Sequence, residues 1–512
     1  MTEIFAIDQI GFPILGLMIF VPLIAAGVLY VAKSAAQQKM VAIGSTVFGL
    51  VLALIAFLAF ESGSADIQLA QKVNWMPALG ASFHFGVDGI SVLFLPLTSL
   101  VILIAMVSGS AVPAHSARAF YANLLLLQAA TIGVYVSLDL VAFFLFWELM
   151  LIPSYFLIRI WGVGTSSQST AMKYVMYMLT GSVPLLIAIA ALGANFGTFD
   201  LVALRSVTIP MEVQVPIFVL LFVGFAVKAP LPPFHTWLPS VAMDGPAGIA
   251  IFLVGLKLGT FGMIKVLLPI APDVALAWQS VLIWIGVLAM LFGGVIALAQ
   301  NNMRRLLAYA SISHVGMVVA GIFSLNAAGL QGSVMAMVNM GLASTILMLL
   351  AGSLHQRLGT TDLIGLGGIA RHAPVMAVAF FVAGLAAIGM PGTSGFQGEF
   401  AILSGIFEAG RLVGALALVG VILGAGYVLW FYERAFFGPP KSDDIRNLRD
   451  LDGNERRMVG LAVAFILLIG FAPMPMIDAV SGATNELASV LEQHATNAQS
   501  TMIAAINSGN VN

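Results

Sequence analysis

Residues Phe218 to Pro239 form the stretch that decides the fold, FVLLFVGFAVKAPLPPFHTWLP. It begins as an apolar run that predicts a membrane-spanning helix, and Lys228 falls where the middle of the span is expected. The prolines at 230, 232 and 233 remove backbone donors and break that helix. Broken helices at membrane depth are tolerated only inside protein or beside a water-filled cavity. Because a charge at this depth costs roughly 2.5–3.5 kcal/mol and marks ion or proton pathways, the stretch predicts part of a transport path. The alternative is a structural ion pair.

The composition indicates a polytopic membrane protein. Of the 512 residues, 60% are hydrophobic and only 9% are charged, whereas a soluble domain has about 25% charged residues. The net charge of −2 gives no footprint for nucleic acid. The sequence contains no cysteine, which excludes disulfides, cysteine-ligated iron–sulfur clusters and thiolate zinc sites in this chain. Lipid and neighbouring helices are therefore the expected surroundings of most side chains.

Apolar windows of about 20 residues predict the membrane helices. Fourteen are predicted, over residues 12–32, 41–60, 89–110, 117–137, 139–160, 170–195, 216–239, 246–270, 278–300, 303–324, 331–357, 374–409, 411–437 and 457–480. The seventh and the twelfth are predicted to be interrupted, the twelfth at Met390 to Gly395. No soluble domain fits between the predicted helices.

Lysine and arginine are unevenly distributed among the predicted loops. The odd-numbered loops and their helix ends hold fifteen of the 21 basic residues, the even-numbered loops hold four, and Lys228 and Lys257 lie within spans. By the positive-inside rule, the odd loops face the cytoplasm and both termini face outward. The charged segment Lys441 to Arg457 is the largest predicted cytoplasmic loop and a contact for another subunit.

Ionisable residues within the spans recur at spacings that predict an internal repeat. Glu148 and His314 lie in the fifth and tenth helices, 166 residues apart, and Lys228 and Glu399 lie in the broken helices, 171 apart. The predicted fold class is an all-α polytopic membrane protein with two inverted five-helix repeats. The predicted divisions are a three-helix segment over 1–116, repeats over 117–270 and 278–437, and a loop, helix and tail over 438–512.

Buried ionisable side chains are the predicted proton-carrying groups: Glu148, Lys228, Lys257, His314 and Glu399. We expect Glu148 and Lys228 to face one another and trade a proton, the alternative being a closed salt bridge that only fixes helix packing. Lys257 lies in mid-helix, and a buried lysine can release and recapture a proton. His314 can pass a proton between its two nitrogens, and Glu399 is the predicted exit group.

The remaining histidines receive other assignments. His235, which follows the prolines of the broken seventh helix, is a further candidate for the path. Histidines 84, 115, 372 and 494 are predicted to lie in loops or the tail, and Asp139 to cap the fifth helix. Because the proton-carrying groups cannot all touch, we expect water to bridge them along a polar axis at the membrane midplane.

Several motifs together resemble the antiporter-like subunits of respiratory complex I, NADH:quinone oxidoreductase. They are FGVDGIS, WELMLIP, FAVKAPLPPFHTWLP, LKLGTFG, SISHVGM and GMPGTSGFQGEF. The resemblance implies fourteen helices with inverted repeats, and proton translocation driven by electron transfer in other subunits. It places the family's proton-carrying residues on Glu148, Lys228, Lys257, His314 and Glu399. It implies no flavin, cluster or quinone in this chain. The implied partners are protons, the lipid bilayer and other membrane-arm subunits, including neighbouring antiporter-like ones.

Two positions depart from the pattern of that family. Ala242 stands where a histidine usually follows the WLP motif, and Met340 stands where one usually follows an asparagine, here Asn339. We therefore expect the second half of the relay to depend more on water. The alternatives are a subunit of a multi-subunit Na⁺/H⁺ antiporter, a subunit of a related hydrogenase or other-donor complex, and a scaffold subunit that does not pump.

Overall fold

A computed structural model describes residues 2–108 and 115–507 of the chain. Within these ranges ten helices are long and apolar enough to cross a membrane, or eleven if one bent pair near the C-terminus counts as a single span. The helical polytopic class is therefore confirmed, but the count of fourteen is not. Three shorter apolar helices, at 14–28, 94–106 and 374–387, account for most of the difference.

The main helices follow one another along the chain. They are α1 Ile14–Val28, α2 Ala35–Ala59, α3 Phe94–Ser108, α4 Ala117–Val136, α5 Leu140–Leu149, α6 Leu151–Trp161, α7 Ser167–Phe196, α8 Met211–Lys228, α9 Trp237–Asp244, α10 Ala247–Gly255, α11 Leu258–Gly262, α12 Gln279–Leu298, α13 Met303–Ile322, α14 Ala327–Leu358, α15 Pro374–Ala387, α16 Gly395–Ala409, α17 Arg411–Phe436, α18 Gly453–Phe471 and α19 Met474–Asn507. Short helices lie at Ala6–Gln9, Pro77–Leu79, Leu201–Arg205, Met263–Leu267, Leu268–Ile270, Pro272–Ala277, Ile369–His372 and Asp443–Arg446.

The two predicted interruptions are present. Helix α8 ends at Lys228 and α9 begins at Trp237, with the proline cluster between them. Helix α15 ends at Ala387 and α16 begins at Gly395, with Gly389 and Gly392 at positive φ in the connection. Both breaks follow from residues that an α-helix tolerates poorly in its interior.

A third interruption, in the predicted eighth helix, corrects the expectation of an unbroken span over 246–270. Helix α10 ends at Gly255, and the backbone at Lys257 has φ −105° and ψ 56° before α11 begins. The flanking glycines permit close packing: a Cβ on Gly259 would lie 2.4 Å from Ala229 N, and one on Gly255 would lie 3.0 Å from Thr345 Oγ1. Because no proline marks this break, apolar pattern alone did not predict it.

The predicted fourteenth helix also differs from the structure. A continuous span over 457–480 was expected, but α18 ends at Phe471 and α19 leaves it at an angle of 70°. Pro473 lies at this bend and lacks the N–H that would continue the helix. The segment predicted as a tail is therefore helical up to Asn507.

Glycine contacts bring the helices of the second half close together. A Cβ on Gly286 of α12 would lie 2.5 Å from Ala320 N, and one on Gly316 of α13 would lie 2.3 Å from Met290 N. Small residues at such crossings let helix backbones approach closely in a membrane, where van der Waals packing replaces the hydrophobic drive between helices.

A small sheet before α3 was not predicted. Strand β2, Ile67–Met76, pairs antiparallel with β3, Ala81–Val87, and parallel with β1, Glu3–Phe5. Gly80, at φ +71°, helps turn the chain between β2 and β3. His84, predicted to lie in a loop, instead lies in β3 and is fully buried. The sheet thus carries a buried polar cluster on the side of the bundle with the even-numbered loops.

Candidate functional site: a chain of buried ionisable side chains

Lys228 is the last residue of α8, and its charged end lies against α5. The ammonium donates a hydrogen bond to the backbone oxygen of Trp147 at 3.1 Å and lies 4.0 Å above the centre of the Trp147 ring. Cations placed over tryptophan rings are attracted by the ring quadrupole, and a cation at a helix C-terminus is favoured by the helix dipole. The proline break therefore leaves Lys228 at a helix end where neutral groups hold its charge.

Glu148 follows Trp147 directly and has a different partner. The hydroxyl of Ser182 on α7 donates a hydrogen bond to Oε1 of Glu148. Within the described residues, no ion pair of 4.0 Å or less joins Glu148 to Lys228. The two groups are near each other across Trp147, but the pair is open in this structure rather than a closed salt bridge.

His235 lies in the break between α8 and α9. It is buried, its ring packs edge-on against Phe292 with centroids 5.1 Å apart, and in the described part of the chain its Nδ1 has no hydrogen-bond partner. Lys173 of α7 donates to the backbone oxygen of Thr236 at 2.8 Å. The break thus gathers a lysine from α7 and an imidazole nitrogen that has no partner among the described residues.

Lys257 occupies the break between α10 and α11. Its side chain is buried and donates hydrogen bonds to the backbone oxygen of Val254 and to Ser311 Oγ, the latter at 2.6 Å. The break exposes the last carbonyls of α10, and Lys257 satisfies one of them. Ser311 lies on α13, so this contact joins the first half of the chain to the second.

His314 lies one helical turn beyond Ser311, on the same face of α13. Its Nε2 lies 3.3 Å from the hydroxyl of Tyr427 on α17. A cavity of about 10 Å³ is lined by His314, Tyr427 and Glu399 among others. Since a cavity needs roughly 10–15 Å³ to hold a water molecule, this space is at the size limit for a single water between the histidine and the carboxylate.

Glu399 is buried on α16, just beyond the second break. Its carboxylate packs against Gly389, where an added Cβ would lie only 2.3 Å from Glu399 Oε2. Asn339 of α14 bonds both sides of this break: its Nδ2 donates to Ala386 O at 3.0 Å, and its Oδ1 accepts from Ser394 Oγ at 2.6 Å. The amide therefore fixes the ends of α15 and α16 that frame Glu399.

The predicted residues thus fall into three clusters rather than one continuous network. Glu148 and Lys228 lie on either side of Trp147, Lys257 bonds Ser311, and His314 and Glu399 share the small cavity with Tyr427. Sequence analysis missed the hydroxyl partners Ser182, Ser311 and Tyr427. The spacing of Ser311 and His314, three residues apart on one predicted helix, was a signal that could have found one of them.

A further polar cluster, also missed, lies around the sheet. Asp200 Oδ2 accepts hydrogen bonds from Lys72 at 2.7 Å and lies 2.9 Å from His84 Nδ1. Burial opposes ionisation of Asp200, but these two hydrogen bonds outweigh it and hold the pKa of Asp200 well below its ordinary value. His84 is therefore a buried structural partner of an ionised carboxylate.

Lys265 and Asp88 form a fully buried ion pair near that cluster. Lys265 Nζ lies 2.5 Å from Asp88 Oδ2, and the two side chains are 2% and 1% exposed. Burial opposes ionisation of Asp88, but the charges of Lys265 and Arg205 outweigh it, so the pKa of Asp88 lies below its ordinary value. Lys265 is buried in the π-helical turn Met263–Leu267.

Asp139 caps α5 as predicted, since its Oδ1 accepts from Val141 N at 2.8 Å and Ala142 N at 3.2 Å. Within residues 2–108 and 115–507, no three histidine, aspartate or glutamate side chains are grouped closely enough to hold a metal ion.

Comparison with known proteins supports the family resemblance seen in the sequence motifs. Residues 137–424 match a family model described as NADH:quinone oxidoreductase/Mrp antiporter, TM. A relative named NADH-quinone oxidoreductase subunit M, from Rickettsia bellii, is 35% identical over 476 residues, which cover 90% of this chain and 95% of the relative.

Two solved structures have the same fold. A chain of respiratory complex I from Thermus thermophilus with bound NADH has a TM-score of 0.86 and 29% identity, over 93% of this chain and 99% of that one. A chain of the Mrp complex from Dietzia sp. DQ12-45-1b has a TM-score of 0.84 and 23% identity, over 94% of this chain and 98% of that one. At 23% identity, the second likeness is one of fold alone.

Proposed function

We propose, because the chain belongs to the family of membrane subunits common to NADH:quinone oxidoreductase and Mrp antiporters, that it is a proton-translocating membrane-arm subunit of NADH:quinone oxidoreductase. The observation that carries the proposal is the match to subunit M along 90% of the chain. The chain is then one subunit of a proton-translocating enzyme complex in a bacterial membrane. Its neighbours are the other membrane-arm subunits, including antiporter-like ones, and electron transfer takes place elsewhere in the complex.

The first step we assign to the open pair Glu148 and Lys228. Lys228 is held by the Trp147 carbonyl and ring, and Glu148 by the Ser182 hydroxyl, so each has a partner while the pair is apart. A charged group in low dielectric needs such partners. When a proton arrives on one of them, the attraction between the two changes, and the pair can close or open in response.

The second step passes through Lys257 into the second half of the chain. Its ammonium donates to Ser311, which can in turn donate to a water or to the next group along α13. His314 stands one turn further on and shares a water-sized cavity with Glu399. In this proposal Glu399 is the terminal group of the relay, and His235 is a side branch beside Lys228.

Orientation and domain organisation are proposals that rest on the sequence. The excess of lysine and arginine in odd-numbered loops supports a periplasmic location for both termini. The two broken helices, α8–α9 and α15–α16, support division into inverted repeats over 117–270 and 278–437. The Lys441 to Arg457 segment remains the proposed contact for another subunit.

The test is proton pumping by the assembled complex carrying Lys228→Ala. We expect quinone-linked pumping to fall by about 100-fold or more at this step, the contribution of a positioned proton-transfer group, while assembly and NADH oxidation with an artificial acceptor are retained. The matched control is Lys33→Ala, which removes an exposed lysine and should leave pumping unchanged.

The alternatives predict other results. A scaffold subunit would assemble and pump normally after Lys228→Ala and after Glu399→Gln. A sodium antiporter subunit would give sodium-dependent proton movement without NADH. Either result would overturn the proposed function.

A further inference from the structure

A cavity whose wall carries several ionisable side chains lies away from the three clusters, beside the sheet. Its volume is about 670 Å³, enough for on the order of 20 water molecules at ~30 Å³ each. It opens among the even-numbered loops and against α19, and its wall includes Glu3, Lys72, Asp200, Arg205, Asp273 and His494. An ionisable lining of both signs suits water and protons better than an apolar ligand.

The buried ion pair lies against the wall of this cavity. Asp88 and Ile264 belong to the cavity wall, and Lys265 follows Ile264 and binds Asp88. Asp88 is held in turn by Ser91, whose backbone N donates to Asp88 Oδ1 at 3.1 Å and whose hydroxyl donates at 3.0 Å. Asp88 has no exposed surface, so the pair lies at a buried part of the cavity wall.

A second buried polar group lies against the stretch of chain between Lys257 and Lys265. Phe261 stands four residues from Lys257 and four from Lys265, and its ring lies 4.7 Å from that of Tyr135. Tyr135 is fully buried, and its hydroxyl has no hydrogen-bond partner within residues 2–108 and 115–507. An unpartnered buried hydroxyl is costly, and here it lies alongside the stretch of chain that joins the two lysines.

The backbone between the two lysines is irregular at both ends. Lys257 lies in a break, and Lys265 lies in the π-helical turn Met263–Leu267. π-Helical turns occur frequently at functional sites. A regular helix with the same ion pair would give the same packing, so packing alone does not require the irregular backbone. A buried ion pair is also a weak source of stability, because the cost of desolvating both charges offsets their attraction.

We propose that this cavity is a port for protons on the even-loop face of the subunit, and that the Asp88–Lys265 pair is its gate. The inference rests on the proposed function, because it supplies Lys257 with a route to the aqueous phase. A proton leaves the Lys265 ammonium for a cavity water, which becomes hydronium, and the neutral amine then takes the proton that the Lys257 ammonium releases on the Tyr135 side. No other bond changes, and the reverse sequence serves uptake.

The test blocks the port after the complex has folded. The chain has no cysteine, so Ala203→Cys places a single thiol of this chain on the cavity wall. A permanently charged methanethiosulfonate reagent is then added to assembled complex in vesicles whose even-loop face is accessible. We expect labelling to slow proton transfer by about 100-fold or more, matching loss of a positioned proton-transfer group, and a thiol reductant to restore it.

Two controls accompany the block. Asn195→Cys places a thiol at an exposed position near the C-terminal end of α7, outside the cavity wall, and its labelling should leave pumping unchanged. Asp88→Asn keeps the side-chain shape and removes the charge that holds Lys265, and should slow pumping as the block does. Lys33→Ala, which removes an exposed lysine outside the cavity wall, should not.

The outcomes separate the two proposals. If fully labelled Ala203→Cys complex pumps normally while Lys228→Ala complex does not, the port is wrong and the proposed function stands. If Lys228→Ala complex pumps normally, the proposed function itself fails. Completeness of labelling is measured by mass of the isolated chain, and failure of Asp88→Asn to assemble would leave the labelling result decisive.

Discussion

Gly389→Ala tests whether the position of the Glu399 carboxylate, rather than its mere presence, sets the rate of proton transfer. Gly389 has φ +64°, and an added Cβ would lie 2.3 Å from Oε2 and 2.7 Å from Cδ of Glu399. Real Cβ contacts are essentially never under 3.0 Å, so the carboxylate must move by about 0.7 Å. Because the clashing atoms are the end of a flexible side chain, the displacement itself costs little stability.

Two separable effects follow from this geometry. The left-handed backbone costs about 1–2 kcal/mol once the residue carries a Cβ. Misplacement of a reacting group by about 1 Å can cost 10²-fold in rate, so we expect the 0.7 Å shift to slow pumping by about ten- to a hundredfold.

Gly359→Ala is the matched control. Gly359 has φ +69° at the end of α14, and an added Cβ would meet nothing within 4 Å. It therefore carries the same backbone strain without touching a proton-carrying group. Thermal unfolding of detergent-solubilised complex and quinone-linked proton pumping are measured for both variants. Equal pumping by the two alanine variants, at equal assembly, would refute the role assigned to the carboxylate position.

Three further predictions concern neighbouring groups. Asn339→Ala removes the hydrogen bonds that join the two sides of the second break, and should lower the unfolding free energy by about 1–3 kcal/mol in thermal denaturation; Asn339→Asp, which keeps the acceptor for Ser394, should lose less. Glu148→Gln should abolish pumping through this subunit with normal assembly, whereas Ser182→Ala should only reduce it; unchanged proton stoichiometry in Glu148→Gln would remove Glu148 from the path. Asp200→Asn should destabilise the chain at pH 7, and the destabilisation should shrink progressively below pH 3.8. The pKa of Asp200 is lower in the folded chain than its ordinary value, so the ionised carboxylate contributes stability that is lost as the pH falls. A destabilisation that does not change with pH would exclude this ionic contribution.

The residues of the candidate site could be predicted because a charge inside an apolar run is rare and costly. Glu148, Lys228, Lys257, His314 and Glu399 each stand alone in such a run. In the folded chain Lys257, His314 and Glu399 are buried, and Glu148 and Lys228 are half-buried. Their roles in proton transfer remain predictions. The proline and glycine breaks were equally visible, because both residue types interrupt helices for local reasons that need no knowledge of the neighbours.

What could not be predicted depends on partners distant in the sequence. Ser182 meets Glu148, and Ser311 meets Lys257, across 34 and 54 residues. A serine in an apolar helix has many ordinary explanations, so its partner decides its meaning. The break at Lys257 follows from close packing of the flanking glycines against other helices, which no local pattern contains.

The small sheet of β1, β2 and β3 was missed for a different reason. Windows chosen to find apolar helices pass over short polar strands such as β2, and His84 was therefore assigned to a loop. Its partner Asp200 lies 116 residues away. Only the folded chain shows that a histidine, a lysine and a carboxylate meet there.

Asn339 joins α15 to α16 across the second break without taking part in proton transfer, although one titratable side chain could have done both. A carboxamide neither gains nor loses a proton at physiological pH, so this joint between α15 and α16 stays fastened whatever charge Glu399 carries. With a histidine in its place, the hydrogen bonds that join α15 to α16 would change whenever that side chain gained or lost a proton. Because the side chain that bonds both helix ends does not titrate, Glu399 can gain and lose a proton while the connection between α15 and α16 keeps its hydrogen bonds.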